Sequence, residues 1–316
     1  MRGVRGRPAG RSGDGTVLRG RVAVVTGAAR GVGEALARRL SAGGMRVALI
    51  GREEASLRRV ALELPAPGLC VEADVTDRTA IGHASELVAE RWGPASVVVA
   101  NAGIAAGGPF AATDADLWQR VIDVNLIGSA NTARAFLPQL QESRGYFLQI
   151  ASTAAFGSSP MMSAYCASKA GVESFAQALR GEVEPDGVAV GIGYLHWTGT
   201  DMVAGIEEHP VLSALRRHQP GPARRVHSAA RVADWLATGI EHRARHVYAP
   251  PWLRWCQPLR PFFPALVAHI ARRELRALST GDFTSDTGVL GAGGRADWDG
   301  LRHTVRSPRP GPPPSG

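Results

Sequence analysis

A short β-branched run, Arg21-Val22-Ala23-Val24-Val25-Thr26, passes directly into Gly27-Ala28-Ala29-Arg30-Gly31-Val32-Gly33 and then into helical periodicity from Glu34 to Ser41. Few architectures accept that order. A strand without a polar face is buried on both sides, as in a parallel sheet. A glycine loop between such a strand and a helix lets the backbone turn tightly and approach a ligand's phosphates, which free N–H groups and the helix dipole receive. Gly27 and Gly31 serve the turn and the approach, Gly33 the close packing of helix on strand, and Thr26, Arg30 and Val32 belong to the same cradle. The segment predicts a dinucleotide site.

The alternation continues. Strands are expected at Arg46–Ile50, Leu69–Glu72, Ser96–Ala100, Tyr146–Ala151, Val188–Leu195 and Ala244–Ala249. Helices are expected at Asp77–Arg91, Asp114–Val121, Asn125–Gln141 and Ser163–Glu182. This pattern describes an α/β protein with a Rossmann-type doubly wound parallel sheet, one domain over residues 21–249. Residues 1–20 read as a disordered basic leader without the apolar stretch of a secretory signal. Residues 203–227 read as a substrate lid whose inner face carries Val203, Ile206, Val211, Leu212 and Leu215. Residues 250–280 form a Pro/aromatic and amphipathic helical extension, and residues 281–316 are expected to be a disordered tail.

A formal net charge of +8 raises the question of nucleic acid, yet much of that charge sits at the two ends and no nucleic-acid motif accompanies it. Cys70, Cys166 and Cys256 are odd in number and far apart, which argues against a disulfide framework or a metal site and for a reducing, cytoplasmic setting. No stretch has the apolar length of a membrane span. In the extension, Trp252, Trp255, Phe262 and Phe263 stand beside arginines, a composition suited to peripheral contact with a membrane through 250–280. A helix packed over the substrate mouth or against a second subunit suits the same residues.

Lys169 is the only lysine of the chain. It stands four residues after Tyr165, so phenol and ammonium share one helix face. Arginine's broad fork cannot mimic such a compact cation. Asparagine is also scarce, occurring only at Asn101, Asn125 and Asn131. At the end of the second strand, where an acid would bind a free ribose 2′-hydroxyl, stands Arg52. With Arg30 it suits a 2′-phosphate, so NADP(H) is favoured over NAD(H).

Together these motifs resemble the short-chain dehydrogenase/reductase family over roughly Arg19 to Ala249. Thr26 to Gly33 is similar to the family's TGxxxGxG loop, Asp74-Val75 to the segment that meets the adenine, and Asn101-Ala102-Gly103 to its NAG. Asn125, Ser152, Tyr165 and Lys169 match the catalytic tetrad in order. The resemblance implies hydride transfer between a nicotinamide and a small alcohol or carbonyl, with Tyr165 as acid–base group and Ser152 polarising the carbonyl. It implies that Lys169 lowers the Tyr165 pKa and holds the ribose, and that Asn125 supports a proton relay. It also implies a homodimer or homotetramer built on Asn125–Gln141 and Ser163–Glu182.

After the sixth strand the family's Pro-Gly is replaced by Leu195-His196, while Thr200, which meets the nicotinamide carboxamide, survives. His196 is expected either to line the substrate site as a hydrogen-bonded side chain or to act as a second acid–base group. The reading is an NADP(H)-preferring oxidoreductase for a hydrophobic substrate such as a steroid, lipid or aromatic ketone. The alternative is a catalytically weak cofactor-binding regulatory or scaffold protein associated with a membrane surface.

Overall fold

The computed structural model describes residues 18–208, 213, 216–217, 219–277, 288–291, 294–295 and 298. Its main sheet contains β1 (Val22–Thr26), β2 (Arg46–Gly51), β3 (Leu69–Glu72), β4 (Ala95–Ala100), β6 (Tyr146–Ser152), β7 (Ala189–Leu195) and β10 (His246–Ala249). All pairings are parallel, in the order β10-β7-β6-β4-β1-β2-β3. Three two-residue strands, β5 (Ala105–Ala106), β8 (Thr198–Gly199) and β9 (His227–Ser228), lie outside it, and β11 (Val289–Leu290) pairs with β5. The seven central strands fall where the sequence predicts them.

Burial follows the two-residue period of the strand. Val22 and Val24 face one core, while Ala23 and Val25 face the other. The first core is covered by α3 (Arg78–Trp92), α4 (Ala115–Ile122), α5 (Gly128–Ser143) and α6 (Ser163–Val183). The second is covered by α1 (Gly31–Ala42), α2 (Glu54–Leu62) and the helix Ala229–Glu241. After β3 the chain returns to the far side of β1 to lay down β4. That reversal opens a crevice at the carboxyl ends of β1 and β4, where ligands of such sheets bind.

Three features depart from the sequence expectation. Helix α2 was not foreseen, its nine residues carrying only Leu57 and Val60 as a buried stripe. The helix expected to begin at Asn125 begins at Gly128, because Asp123–Ile127 form a wide π-turn. Such turns redirect a few backbone groups inside an otherwise continuous helix and are frequent at functional sites. The third departure is β11, which falls inside the expected disordered tail. The leader up to residue 17, and Val211, Leu212 and Leu215 of the lid, lie outside the described residues.

The extension continues as a 3-10 helix, Pro251–Phe262, followed by the α-helix Phe263–Ala277. It is fastened to the body. Leu253 is buried, and Arg260 forms an ion pair with buried Glu173 while donating to the Ala155 carbonyl at 2.6 Å. Glu173 also accepts from Tyr194 Oη at 2.7 Å. Trp255, Leu259, Phe262 and Leu266 remain exposed. Among the described residues no helix is long and apolar enough to cross a membrane.

Candidate active site

The glycine loop curves because its sterics leave little choice. Gly27 has φ +64, and a Cβ there would sit 2.8 Å from Ala102 Cα. A Cβ on Gly33 would lie 2.2 Å from the Gly27 carbonyl oxygen and 2.6 Å from Asn101 Nδ2. Asn101 ties the two loops together, donating to the Thr26 carbonyl at 2.9 Å and the Gly27 carbonyl at 3.3 Å. Thr26 is buried behind the loop, where its hydroxyl accepts from the backbone N–H of Asn101 and of Ala102, both at 3.1 Å. It braces the cradle without facing the cleft. No side chain caps the start of α1. Its first N–H groups therefore point at the cleft with the positive end of the helix dipole behind them, a fit for a diphosphate.

The cleft has a volume of about 650 Å³ and runs from Arg52 and Asp74 to Tyr165 and Thr200. Arg30, Gly31, Val32, Val75 and Ala102 also line it, as do Gly103 and Ser152. At the adenosine end the two arginines do not stand alone. Arg52 Nε lies 3.5 Å from Asp74, whose carboxylate also takes the Arg120 guanidinium at 2.7 Å. Arg120 and the Thr76 hydrogen bonds hold the Asp74 carboxyl below the usual carboxylate range, although burial opposes them. Arg30 pairs with Glu53. Glu53 lines the cleft one residue beyond Arg52, so the end of β2 does carry an acid, contrary to the sequence expectation. The dipeptide Arg52-Glu53 was the available signal.

At the other end, β6 delivers Ser152 and α6 delivers Tyr165 and Lys169. The Ser152 hydroxyl caps the following turn by accepting from Ala154 N–H at 3.1 Å. It also hydrogen-bonds the Tyr165 phenol, which favours the ionised phenol, but burial outweighs this and pushes Tyr165 up to about 12. The sequence led us to expect Lys169 to lower that pKa. Instead its Nζ stands 5.7 Å from the Tyr165 ring centroid and donates to the Ile150 carbonyl at 3.2 Å. Burial lowers Lys169 to about 8. A Cβ on Gly103 would lie 3.4 Å from Nζ, so the ammonium packs close against the Gly103 backbone.

Asn125 lies behind the cleft wall. Its Oδ1 accepts from Ile104 N–H at 2.8 Å, while Nδ2 donates to the Ile104 carbonyl at 3.0 Å and to Ser168 Oγ at 2.9 Å. The π-turn turns this amide onto the strand-like segment after Gly103, so it acts on that backbone and on α6.

His196 lines the cleft with both ring nitrogens engaged. Its Nε2 faces the Ala223 carbonyl at 2.6 Å and its Nδ1 the Thr153 hydroxyl at 2.9 Å. A carbonyl only accepts, so Nε2 carries the proton and Nδ1 accepts from Thr153. Burial lowers the ring to about 4, which keeps it neutral. Trp252 of the extension meets it edge-on at 5.9 Å. His196 thus joins the helix Gly221–Arg224, the turn after β6 and the extension, and this geometry goes against a second acid–base role. Ile104, Leu290, Gly291 and Gly294 also border this end; the sequence signalled none of them.

A parallel sheet with a diphosphate cradle at its switch point, and Ser–Tyr–Lys at the far end of one cleft, define an NAD(P)-dependent oxidoreductase. The chain belongs to the short chain dehydrogenase family, whose sequence model matches residues 21–210. An uncharacterized oxidoreductase of Staphylococcus epidermidis is 35% identical over 171 residues, 54% of this chain and 74% of that protein. One from Staphylococcus aureus is 36% identical over 177 residues, 55% of this chain and 77% of that protein. Among solved structures, gox2181 superposes with TM-score 0.68 at 26% identity, over 73% of this chain and 95% of its own. An Agrobacterium tumefaciens protein assigned as a gluconate dehydrogenase shares the fold, with TM-score 0.68 at 23% identity over 75% of this chain and 96% of its own.

Proposed function

We propose that the protein is an NADP(H)-preferring oxidoreductase acting on an apolar alcohol/carbonyl pair. The observation that carries this reading is the convergence of Ser152, Tyr165 and Lys169 at one end of the cleft whose other end holds the glycine cradle. The nicotinamide, when bound, supplies or takes up the hydride. Tyr165 gives a proton to the oxygen of a carbonyl being reduced, and a phenol held near 12 is in its acid form at neutral pH. Ser152 donates a hydrogen bond to the same oxygen. Lys169 supplies positive charge beneath the phenol and a donor for the ribose, supported by Asn125 through Ser168. Thr200 and Asn101-Ala102-Gly103 line the cofactor's path. Lys169 loses its proton near pH 8, so carbonyl reduction should fall as pH rises through that value.

The cofactor preference rests on Arg30 and Arg52 at the adenosine end. Both are held by carboxylates at the cleft wall, so a 2′-phosphate would compete with Glu53 and Asp74 for them. Fluorescence titration with NADPH and NADH, followed by a ketone and alcohol panel, tests the reading. NADPH should bind more tightly by about tenfold or more, one charge-assisted contact's worth. Equal affinities would remove the preference, and tight binding without any turnover would favour the scaffold alternative.

For the extension, exposed Trp255, Leu259, Phe262 and Leu266 beside Arg254 and Arg272 favour peripheral contact with an anionic lipid surface. Trp255→Ser with Phe262→Ser should abolish co-sedimentation with phosphatidylglycerol vesicles; wild-type protein that stays in the supernatant would exclude the contact. For the assembly, a homodimer or homotetramer through α5 and α6 is the reading, with Ile127 exposed beside them. Light scattering of the full chain at monomer mass would contradict it.

A further inference from the structure

Beside Tyr165 the wall of the cleft is backed by an apolar cluster that no motif accounts for. Ala105, Met161, Met162, Cys166, Ile206 and Leu290 are buried together, and Tyr165, Trp197 and Met202 pack against them. The catalytic phenol therefore packs against this cluster while lining the cleft. One member, Leu290, comes from far outside the segment that matches the family model.

The chain returns to the cleft through a specific set of contacts. Val289 and Leu290 pair antiparallel with Ala106 and Ala105. Gly291 has φ +82 and abuts the helix Asp201–Glu208 so closely that a Cβ would lie 2.7 Å from Met202 N. Only glycine meets both demands. Gly294 lies under Val289, where a Cβ would come within 2.3 Å of Cγ1. Trp298 then packs against the main core. These contacts tie the loop after β4 to the helix Asp201–Glu208, and they place Leu290, 4% exposed, both in the buried cluster and in the wall of the cleft.

We infer that Leu290 is a specificity-determining residue, closing an apolar subsite that takes the larger, uncharged substituent of the ketone or alcohol whose oxygen meets Ser152 and Tyr165. The inference rests on the oxidoreductase reading and deepens it. An apolar group gains by leaving water for this wall, whereas a charged one finds no partner in the cluster. Met202 lines the cleft, and Met161 and Met162 in the cluster behind it let that wall adjust to differing shapes, since thioether chains repack easily. Leu290 is the fixed element, because backbone pairing on β5 and the glycine contact hold its main chain.

The test uses the full-length protein and a ketone series of rising bulk: butan-2-one, octan-2-one, acetophenone and 2-acetylnaphthalene. Leu290→Ala enlarges the subsite, and Leu290→Phe fills it. Relative to wild type, the ratio of kcat/KM for 2-acetylnaphthalene over butan-2-one should rise about tenfold with alanine and fall about tenfold with phenylalanine, a methylene-scale change in a pocket. NADPH affinity should stay within about twofold of wild type, which shows that the fold is intact. A purely structural role would lower activity toward all ketones alike, and parallel losses in both variants would overturn the inference. Binding of 2-acetylnaphthalene, read by tryptophan fluorescence in the presence of NADPH, gives a second readout that needs no turnover. Affinity there should move in the same opposite directions. Opposite shifts without turnover in wild type would support the subsite and refute the oxidoreductase reading. Unchanged binding in both variants would refute the subsite while a working ketone reductase kept that reading intact.

Discussion

The two ends of the cleft are built in opposite ways. The glycine cradle is assembled from two short contiguous segments, Gly27–Gly33 and Asn101–Gly103, locked by backbone contacts that admit no side chain at Gly27 or Gly33. The end around Tyr165 draws on residues 104–106, 161–166 and 195–206 and on Leu290, Gly291 and Gly294, brought together only by the completed fold. A dinucleotide diphosphate has one shape, so it imposes a fixed backbone path and a motif. A substrate's apolar group demands volume and dryness, which many side chains from many places can supply. The cradle can be read from a line of sequence, and the apolar wall beside Tyr165 cannot.

Substitutions at the two ends should therefore fail differently. The largest effect is expected at the cradle. Gly33→Val collides with the Gly27 carbonyl, and NADPH affinity should drop by more than about 100-fold, since both the helix–strand contact and the phosphate path move. Retained affinity in a titration would break the claim that the cofactor end is rigid. At the substrate end, Arg260→Ala strands the buried Glu173 carboxylate and frees Ala155 beside Ser152. Breaking a buried pair costs about 3 kcal/mol or more. Urea unfolding should register that loss while NADPH affinity in the folded protein changes little.

Smaller effects sharpen the boundary. Glu53→Gln releases Arg30 from its ion pair, so NADPH affinity should rise by a few fold while NADH affinity does not. Equal changes for both cofactors would place Glu53 outside 2′-phosphate recognition. His196 supplies the smallest effect. Its ring titrates at about 4 in the fold against 6.5 when free, so below 6.5 the unfolded chain binds more protons. Its contribution to stability is then lost as pH falls from about 6.5 towards 4. His196→Asn should flatten stability against pH across that window, measured by thermal unfolding, and leave the pH–rate profile unchanged.

How much the sequence revealed follows the same division. The strands of the sheet announced themselves through unbroken β-branched runs, and Tyr165 with Lys169 through helical spacing. Helix α2 was passed over because Arg58, Arg59 and Glu63 dominate its stretch and only Leu57 and Val60 mark a face. Glu53 was missed because Arg52 beside it answered the question being asked. Strand β11 is two residues long within a Gly/Asp-rich run, too short for any periodicity to register. The Tyr165 pKa escaped the sequence as well, since spacing shows a nearby lysine but not the burial that raises the phenol to about 12 against the Ser152 hydrogen bond.

Tyr165→Phe measured for turnover and cofactor affinity in the same preparation is the most direct test of the central claim. The variant keeps the ring in its packing and removes only the proton-carrying oxygen. NADPH affinity should stay within about twofold of wild type while ketone reduction falls by about 100-fold or more, the usual worth of a positioned acid. Turnover close to wild type would contradict that claim.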